Sequence, residues 1–247
     1  MNSKNASDFS FDEFMAREED LINNPETRVP IILCVDRSYS MSVNLRLKKT
    51  ADGIRNFCKD MEADPIARDA VELCIISYGG TKAVIEHDFS SPRNTLNHFP
   101  ALIPEGETPL LDAVCLARET LQKRLDQYAD SGINYFRPWI IFIGDGDQTH
   151  DSGNLDAEAR WLSQESDKKA LNVMCVVVGS QNSLQYNTLI ALSPNHQVQY
   201  LQDLNFSDFF SWLSRSVQKN SQSLEGEELH YESTSSWAIV LGQRSET

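Results

Sequence analysis

At 247 residues and 40% hydrophobic content, the chain can form one large α/β domain or two small ones around a substantial core. Its formal net charge of −14 excludes broad nonspecific binding to nucleic acid or to anionic membrane, both of which need a cationic surface. That balance fits an acidic cytoplasmic protein.

The start, Met1-Asn2-Ser3-Lys4, lacks a basic stretch leading into an apolar core, so it does not read as a secretory signal. Residues 1–27 are polar and acidic apart from Phe9, Phe11, Phe14, Leu21 and Ile22. This leader is either partly disordered or carries a short helix over about 12–21, stopped at Asn23-Asn24-Pro25 and docked on the domain or a partner.

The run Val29–Val35 is a buried strand, too short to span a bilayer. Arg46–Met61 has helical spacing in Leu47, Ala51, Ile54, Phe57, Cys58 and Met61. Val71–Tyr78 is a second strand closed by Gly79-Gly80, and Lys82–Asp88 is an antiparallel edge strand after a hairpin. Residues 92–104 read as loop. Thr108-Pro109 opens a helix to about Tyr128, with proline at the first helical position. Trp139–Ile143 is a continuous apolar strand of the kind parallel sheets bury on both faces. A helix over Asn154–Ala170, a strand over Val173–Val178, a helix over Ser183–Leu192, a strand over Val198–Leu201 and a helix over Asp208–Lys219 follow.

This alternation predicts one domain over 28–220: a doubly wound, mostly parallel sheet of six strands with helices on both faces and one antiparallel edge strand. The tail, 221–247, is acidic and then carries Trp237-Ala238-Ile239-Val240-Leu241, which adds to a sheet edge, docks in a groove, or hangs free. The five cysteines, Cys34, Cys58, Cys74, Cys115 and Cys175, form no Cys-x-x-Cys pair. Buried free thiols in a reducing compartment fit them.

In such a sheet, ligands bind outside the carboxyl ends of the strands, where strand order reverses. Three loops meet that description. One holds Asp36, Ser38 and Ser40, another Glu105-Gly106-Glu107-Thr108-Pro109, and the third Gly144-Asp145-Gly146-Asp147. Two carboxylates and three hydroxyls are hard oxygen donors of the kind Mg²⁺, Mn²⁺ or Ca²⁺ takes. Taken singly, each residue has an ordinary explanation as a turn or helix cap.

The pattern Asp36-x-Ser38-x-Ser40, then Thr108, then Asp145 resembles the metal-ion-dependent adhesion site of von Willebrand factor A (VWA) domains. The likeness covers about 28–220. Within that superfamily the chain looks most similar to bacterial TerY-type proteins of tellurite-resistance clusters, on Gly106-x-Thr108-Pro109-Leu110, Arg137-Pro138-Trp139-Ile140 and Phe209-Phe210-x-Trp212-Leu213-Ser214. Two positions depart from the common pattern. Tyr39 stands where glycine is usual, and Gly144 where threonine is usual.

The resemblance implies a Rossmann-like fold and Mg²⁺, or Mn²⁺ or Ca²⁺, at these five residues. It also implies an open metal position filled by a Glu or Asp of a protein partner, with metal and partner binding cooperatively. The implied partners are tellurium-resistance-type, kinase or phosphatase proteins of a bacterial stress-resistance or phage-defence complex. Tyr39 either packs or shapes partner choice. Glu107 and Asp147 are further candidate partner contacts. Glu105 is either a tuner of the site or a solvent-facing loop charge, while His150 and Asp151 carry less weight.

No Gly-x-Ser-x-Gly elbow, phosphate-cradling Gly-x-x-x-x-Gly-Lys-Ser/Thr loop or paired metal-binding histidines occur. The competing readings are a Mg²⁺-dependent phosphohydrolase built on Asp36 and Asp145, and a scaffold acting through its termini. A dehalogenase-type phosphohydrolase would want a second aspartate where Ser38 stands. The sequence therefore reads as a non-catalytic binding module.

Overall fold

The computed structural model describes residues 24, 26–145, 155–179, 187–194, 198–201, 206–221 and 233–241. The predicted helix over 12–21, Asp147, His150, Asp151 and most of the acidic tail lie outside them.

Strand β1 (Val29–Asp36) lies at the centre of the sheet and is buried throughout. A kinked 3₁₀ segment (Tyr39–Leu45) leads from it into α1 (Arg46–Ala63), and a short α2 (Pro65–Ala70) precedes β2 (Val71–Gly79). Then come β3 (Lys82–Ser90), α3 (Pro92–Asn97), α4 (Leu110–Ser131) and β4 (Trp139–Gly144). The rest is α5 (Leu155–Asp167), β5 (Asn172–Val177), α6 (Asn187–Leu192), β6 (Val198–Leu201), α7 (Phe206–Ser221) and β7 (Ala238–Leu241).

The strand order is β3-β2-β1-β4-β5-β6-β7. Strands β2, β1, β4, β5 and β6 run parallel, and β3 and β7 pair antiparallel at the two edges. The predicted class therefore stands, with two corrections: among the described residues the sheet has seven strands, not six, and two antiparallel edge strands, not one. The seventh comes from the C-terminal tail. Four residues give too little alternation to mark a strand; what decides it is the open edge of β6 and a buried site for Trp237. Tyr200 pairs with Ile239 and Leu201 with Ala238.

Both faces of the sheet are covered, which is why β1 reads as an unbroken apolar run. Val29, Ile31, Leu33 and Val35 face a core shared with Ile54, Phe57 and Met61 of α1 and Phe209, Phe210 and Leu213 of α7. Ile32 and Cys34 face the opposite core, with Val114, Ala117 and Leu121 of α4 and Leu162 of α5. Cys34, Cys58, Cys74 and Cys175 are buried free thiols, and Cys115 is partly buried.

Residues 92–104, read as loop, contain α3, and α2 was not predicted at all. Both lack apolar periodicity but carry capping chemistry. The Asp64 carboxylate accepts the amides of Ile66 and Ala67 at 2.9 Å ahead of α2, and the Ser91 hydroxyl accepts the Asn94 amide at 3.3 Å ahead of α3. Each helix has proline in its first turn. Pro109 itself lies just before the first residue of α4. No helix among the described residues is long and apolar enough to cross a membrane.

Candidate metal centre

Strand order reverses between β1 and β4, so the helices that follow them pack on opposite faces of the sheet, the place where such sheets bind ligands. Asp36 is the last residue of β1, and Asp145 follows β4 directly. Residue Val35 is paired with Ile143, which sets Asp36 beside Gly144. The sheet itself brings the two carboxylates together.

Asp36 is fully buried. Its Oδ1 accepts the Ser38 amide at 2.7 Å, while its Oδ2 has no hydrogen-bond partner among the described residues. Burial, then the nearby Asp145 charge, pushes the Asp36 carboxyl up to about 7, against the lowering effect of hydrogen bonding from Ser38 and from the Asp145 backbone. Asp145 is buried too, with Oδ1 unpartnered among the described residues and Oδ2 3.5 Å from the Arg46 guanidinium. The hydroxyls of Ser38 and Ser40 lie 2.8 Å apart, sharing one hydrogen bond. Thr108 is buried immediately ahead of α4.

Two adjacent buried carboxylates, of which Asp145 raises the proton affinity of Asp36, each with an oxygen unused among the described residues, form a site short of positive charge. The donor set is all oxygen, and no cluster of three His, Cys, Asp or Glu exists among the described residues. The residues present therefore fit a hard divalent cation, with carboxylates and hydroxyls as its candidate donors.

The Thr108 loop is tied to the Asp36 loop by backbone contacts. The Glu105 amide donates to the Arg37 carbonyl at 2.7 Å, and the Tyr39 amide donates to the Gly106 carbonyl at 3.3 Å. The β2–β3 turn joins them, since the Gly80 amide donates to the Glu105 carbonyl at 2.7 Å. Gly80 and Gly106 both have positive φ, at 69° and 48°, and a Cβ on Gly106 would come within 2.8 Å of Gly80 Cα. Only glycine lets these two turns touch. Glu105, read as either a tuner or a loop charge, is paired with Arg37 at 2.6 Å. Glu107 is exposed at the same loop. Tyr39 is 65% exposed, so the reading in which it packs is set aside.

Sequence reasoning marked Gly79-Gly80 only as the end of a strand and missed Arg46 and Tyr78 as neighbours of the site. Arg46 opens α1, its Nη1 also donating to the Ser40 carbonyl at 3.3 Å, and nothing in the helical spacing marks it. Tyr78 is the register partner of Asp36, and its hydroxyl donates to the Ile143 carbonyl at 3.3 Å. Burial, then the Asp36 charge, holds the Tyr78 phenol well above its usual range.

The same neighbours explain Gly144. A Cβ there would stand 2.7 Å from the Tyr78 hydroxyl and 3.0 Å from Asp36 Oδ2. Gly144→Ala is expected to destabilise the protein by about 1–3 kcal/mol. Tyr78→Phe in the same chain should recover part of that, giving a favourable coupling in a double-mutant cycle from denaturant melts. Simple additivity would show that the tyrosine hydroxyl is not what keeps residue 144 small.

No family model matches the sequence, nor does any curated protein. Solved structures do match. The vWF domain of the type V pili tip protein Mfa5 from Porphyromonas gingivalis superposes with a TM-score of 0.61 at 14% identity, over 82% of this chain and 99% of that one. The chain has a von Willebrand factor A fold. The open form of the pilus adhesin SpaC from Lactobacillus rhamnosus GG gives 0.59 at 12% identity, over 80% of this chain and 31% of that one. Proximal thread matrix protein 1 from the mussel byssus, with a zinc-occupied adhesion motif, gives 0.50 at 17% identity, over 80% and 46%. This VWA fold thus spans nearly all of the Mfa5 domain but less than half of the other two proteins.

Proposed function

We propose that this chain is a non-catalytic protein-interaction module that captures an acidic side chain of a partner through a divalent metal, Mg²⁺ in the first place. Asp36, Ser38, Ser40, Thr108 and Asp145 would hold the ion. Bound there, it would supply a Lewis-acidic position for a carboxylate. The observation that carries the reading is the pair of adjacent buried carboxylates, Asp36 and Asp145, each with an oxygen unpartnered among the described residues, at the reversal of strand order. The phosphohydrolase reading is the weaker one because Ser38 stands where a dehalogenase-type enzyme would want a second aspartate. A protein shown to have a metal-occupied motif on this fold supports a divalent ion in general. The TerY-type resemblance is the support for a tellurium-resistance-type, kinase or phosphatase partner.

The test is metal titration followed by affinity purification of the whole chain with and without EDTA. Ser40→Ala and Thr108→Ala are each expected to weaken Mg²⁺ or Mn²⁺ binding by roughly tenfold or more, about 1.4 kcal/mol, with circular dichroism unchanged. Both should lose the partner that wild type retains only with metal. Retention that EDTA does not touch would refute the mechanism.

A further inference from the structure

The cation that the described residues place against the candidate metal centre is Arg46, the first residue of α1. Its side chain is only 13% exposed. The guanidinium reaches three loops at the carboxyl ends of the strands. After β1, its Nη1 donates to the Ser40 carbonyl at 3.3 Å. After β4, the same nitrogen stands 3.5 Å from Asp145 Oδ2. After β5, the group lies over the Gly179 backbone, where a Cβ would come within 3.4 Å of Nη2.

The chain ahead of α1 turns sharply before Arg46. Asn44 and Leu45 take φ of 53° and 59°, the left-handed region, which is costly for leucine. Leu45 is left exposed, and Arg46 faces inward to Asp145. The next cations on α1, Lys48 and Lys49, are exposed, and water and salt screen them. Arg46 is sheltered from that screening, and a guanidinium keeps its charge at any pH the protein meets.

Arg46 acts on a divalent ion in two opposed ways. Bridging the loops orders the ion's donors, whereas the arginine's charge repels the ion. Both polar contacts are long, so the ordering is weak. The repulsion acts in a sheltered site, where the effective dielectric is low, and it decides the outcome.

We infer that Arg46 is a resident counter-ion of Asp145 that holds down the affinity of this centre for a divalent metal. This rests on the metal-binding reading and says how that site is regulated. Ionised Asp36 and Asp145 alone would balance a divalent ion, and the chain would keep the metal unaided. Arg46 leaves the loaded centre with an excess positive charge, which a carboxylate from outside neutralises. Retention of the metal is thereby made to depend on an anionic ligand.

The test is calorimetric titration of the whole chain with Mg²⁺ alone, and with Mn²⁺ alone, at about pH 8. Wild type is compared with Arg46→Gln, Arg46→Met and Arg46→Lys. The two uncharged variants are expected to bind metal roughly tenfold or more tighter than wild type, and Arg46→Lys to stay within a few-fold of it. Thermal melts supply a second readout of opposite sign. In EDTA the uncharged variants should melt below wild type, because Asp145 is left buried without its counter-charge. In saturating Mg²⁺ that deficit should vanish or reverse. A merely structural arginine would give weaker metal binding in all three variants, which would overturn the proposal. So would equal tightening by lysine and glutamine, or uncharged variants that bind metal as wild type does. Each of these outcomes leaves the metal reading intact. No binding of Mg²⁺ or Mn²⁺ by wild type or any variant would overturn both.

Discussion

Replacing Asp36 by asparagine is expected to abolish divalent-metal binding and, in the same step, to make the metal-free protein more stable above neutral pH. The two effects share a cause. Folding takes the Asp36 carboxylate out of water and sets it beside Asp145, which pushes its carboxyl up to about 7. The unfolded value is about 3.9. The folded state therefore prefers the protonated form. Stability from this group is complete below about pH 4 and is lost as pH rises through 7. A rise of roughly three pH units corresponds to about 4 kcal/mol at most. Asparagine carries no charge and can still accept the Ser38 amide, so it escapes that loss. Thermal melts in EDTA should show wild type losing stability between about pH 4 and 7, with Asp36→Asn flatter and several degrees more stable at pH 8. Saturating metal should raise the wild-type melting point at pH 8 and leave the variant where it is; a hundredfold excess over Kd is worth about 2.7 kcal/mol. Because the metal must displace a proton below pH 7, its apparent affinity should fall about tenfold per pH unit there. An Asp36→Asn protein that melts lower than wild type at pH 8 in EDTA would contradict this account.

Trp237→Ala is expected to cost about 3–5 kcal/mol and lower the melting point by about 10 °C. The indole is buried against Phe209 and Trp212 of α7, with ring centroids 5.0 and 5.5 Å away. It also anchors β7, whose Ala238 is buried and whose backbone closes the edge of β6. Truncation after residue 232 should be as damaging, since it opens that edge and exposes the aromatic cluster. The expectation bears on the scaffold reading. A tail that contributes Trp237 to the domain's own core does not have that side chain free for a partner. An unchanged melt for either variant would show that β7 and Trp237 add nothing to the fold.

Much of the molecule was legible in the chain because the relevant forces are local or periodic. The apolar runs over 29–35, 71–78 and 139–143 declare strands buried on both faces. The spacing of Leu47, Ile54, Phe57 and Met61 declares a helix. Asp36, Ser38, Ser40 and Asp145 are hard donors at or just past strand ends, and it was the resemblance to the VWA adhesion site that grouped them with Thr108. The short helices α2 and α3 were missed, although Asp64-Pro65 and Ser91-Pro92 carried their capping signal. They needed attention to caps where periodicity was absent.

What the sequence determined by itself was the parallel α/β class, the loops at the strand ends and the chemical type of their donors. These follow from hydrophobic period and side-chain identity, which neighbours in space do not alter. What only the tertiary structure decided was how those pieces meet. It set β1 against β4, so that the Asp36 carboxyl is buried beside the Asp145 charge, which raises its proton affinity. It packed Tyr78 over Gly144, turned Arg46 inward and Leu45 outward, and drew Trp237 and β7 onto the sheet edge. Each depends on contacts between residues far apart in the chain, and no local pattern encodes a distance between two strand ends.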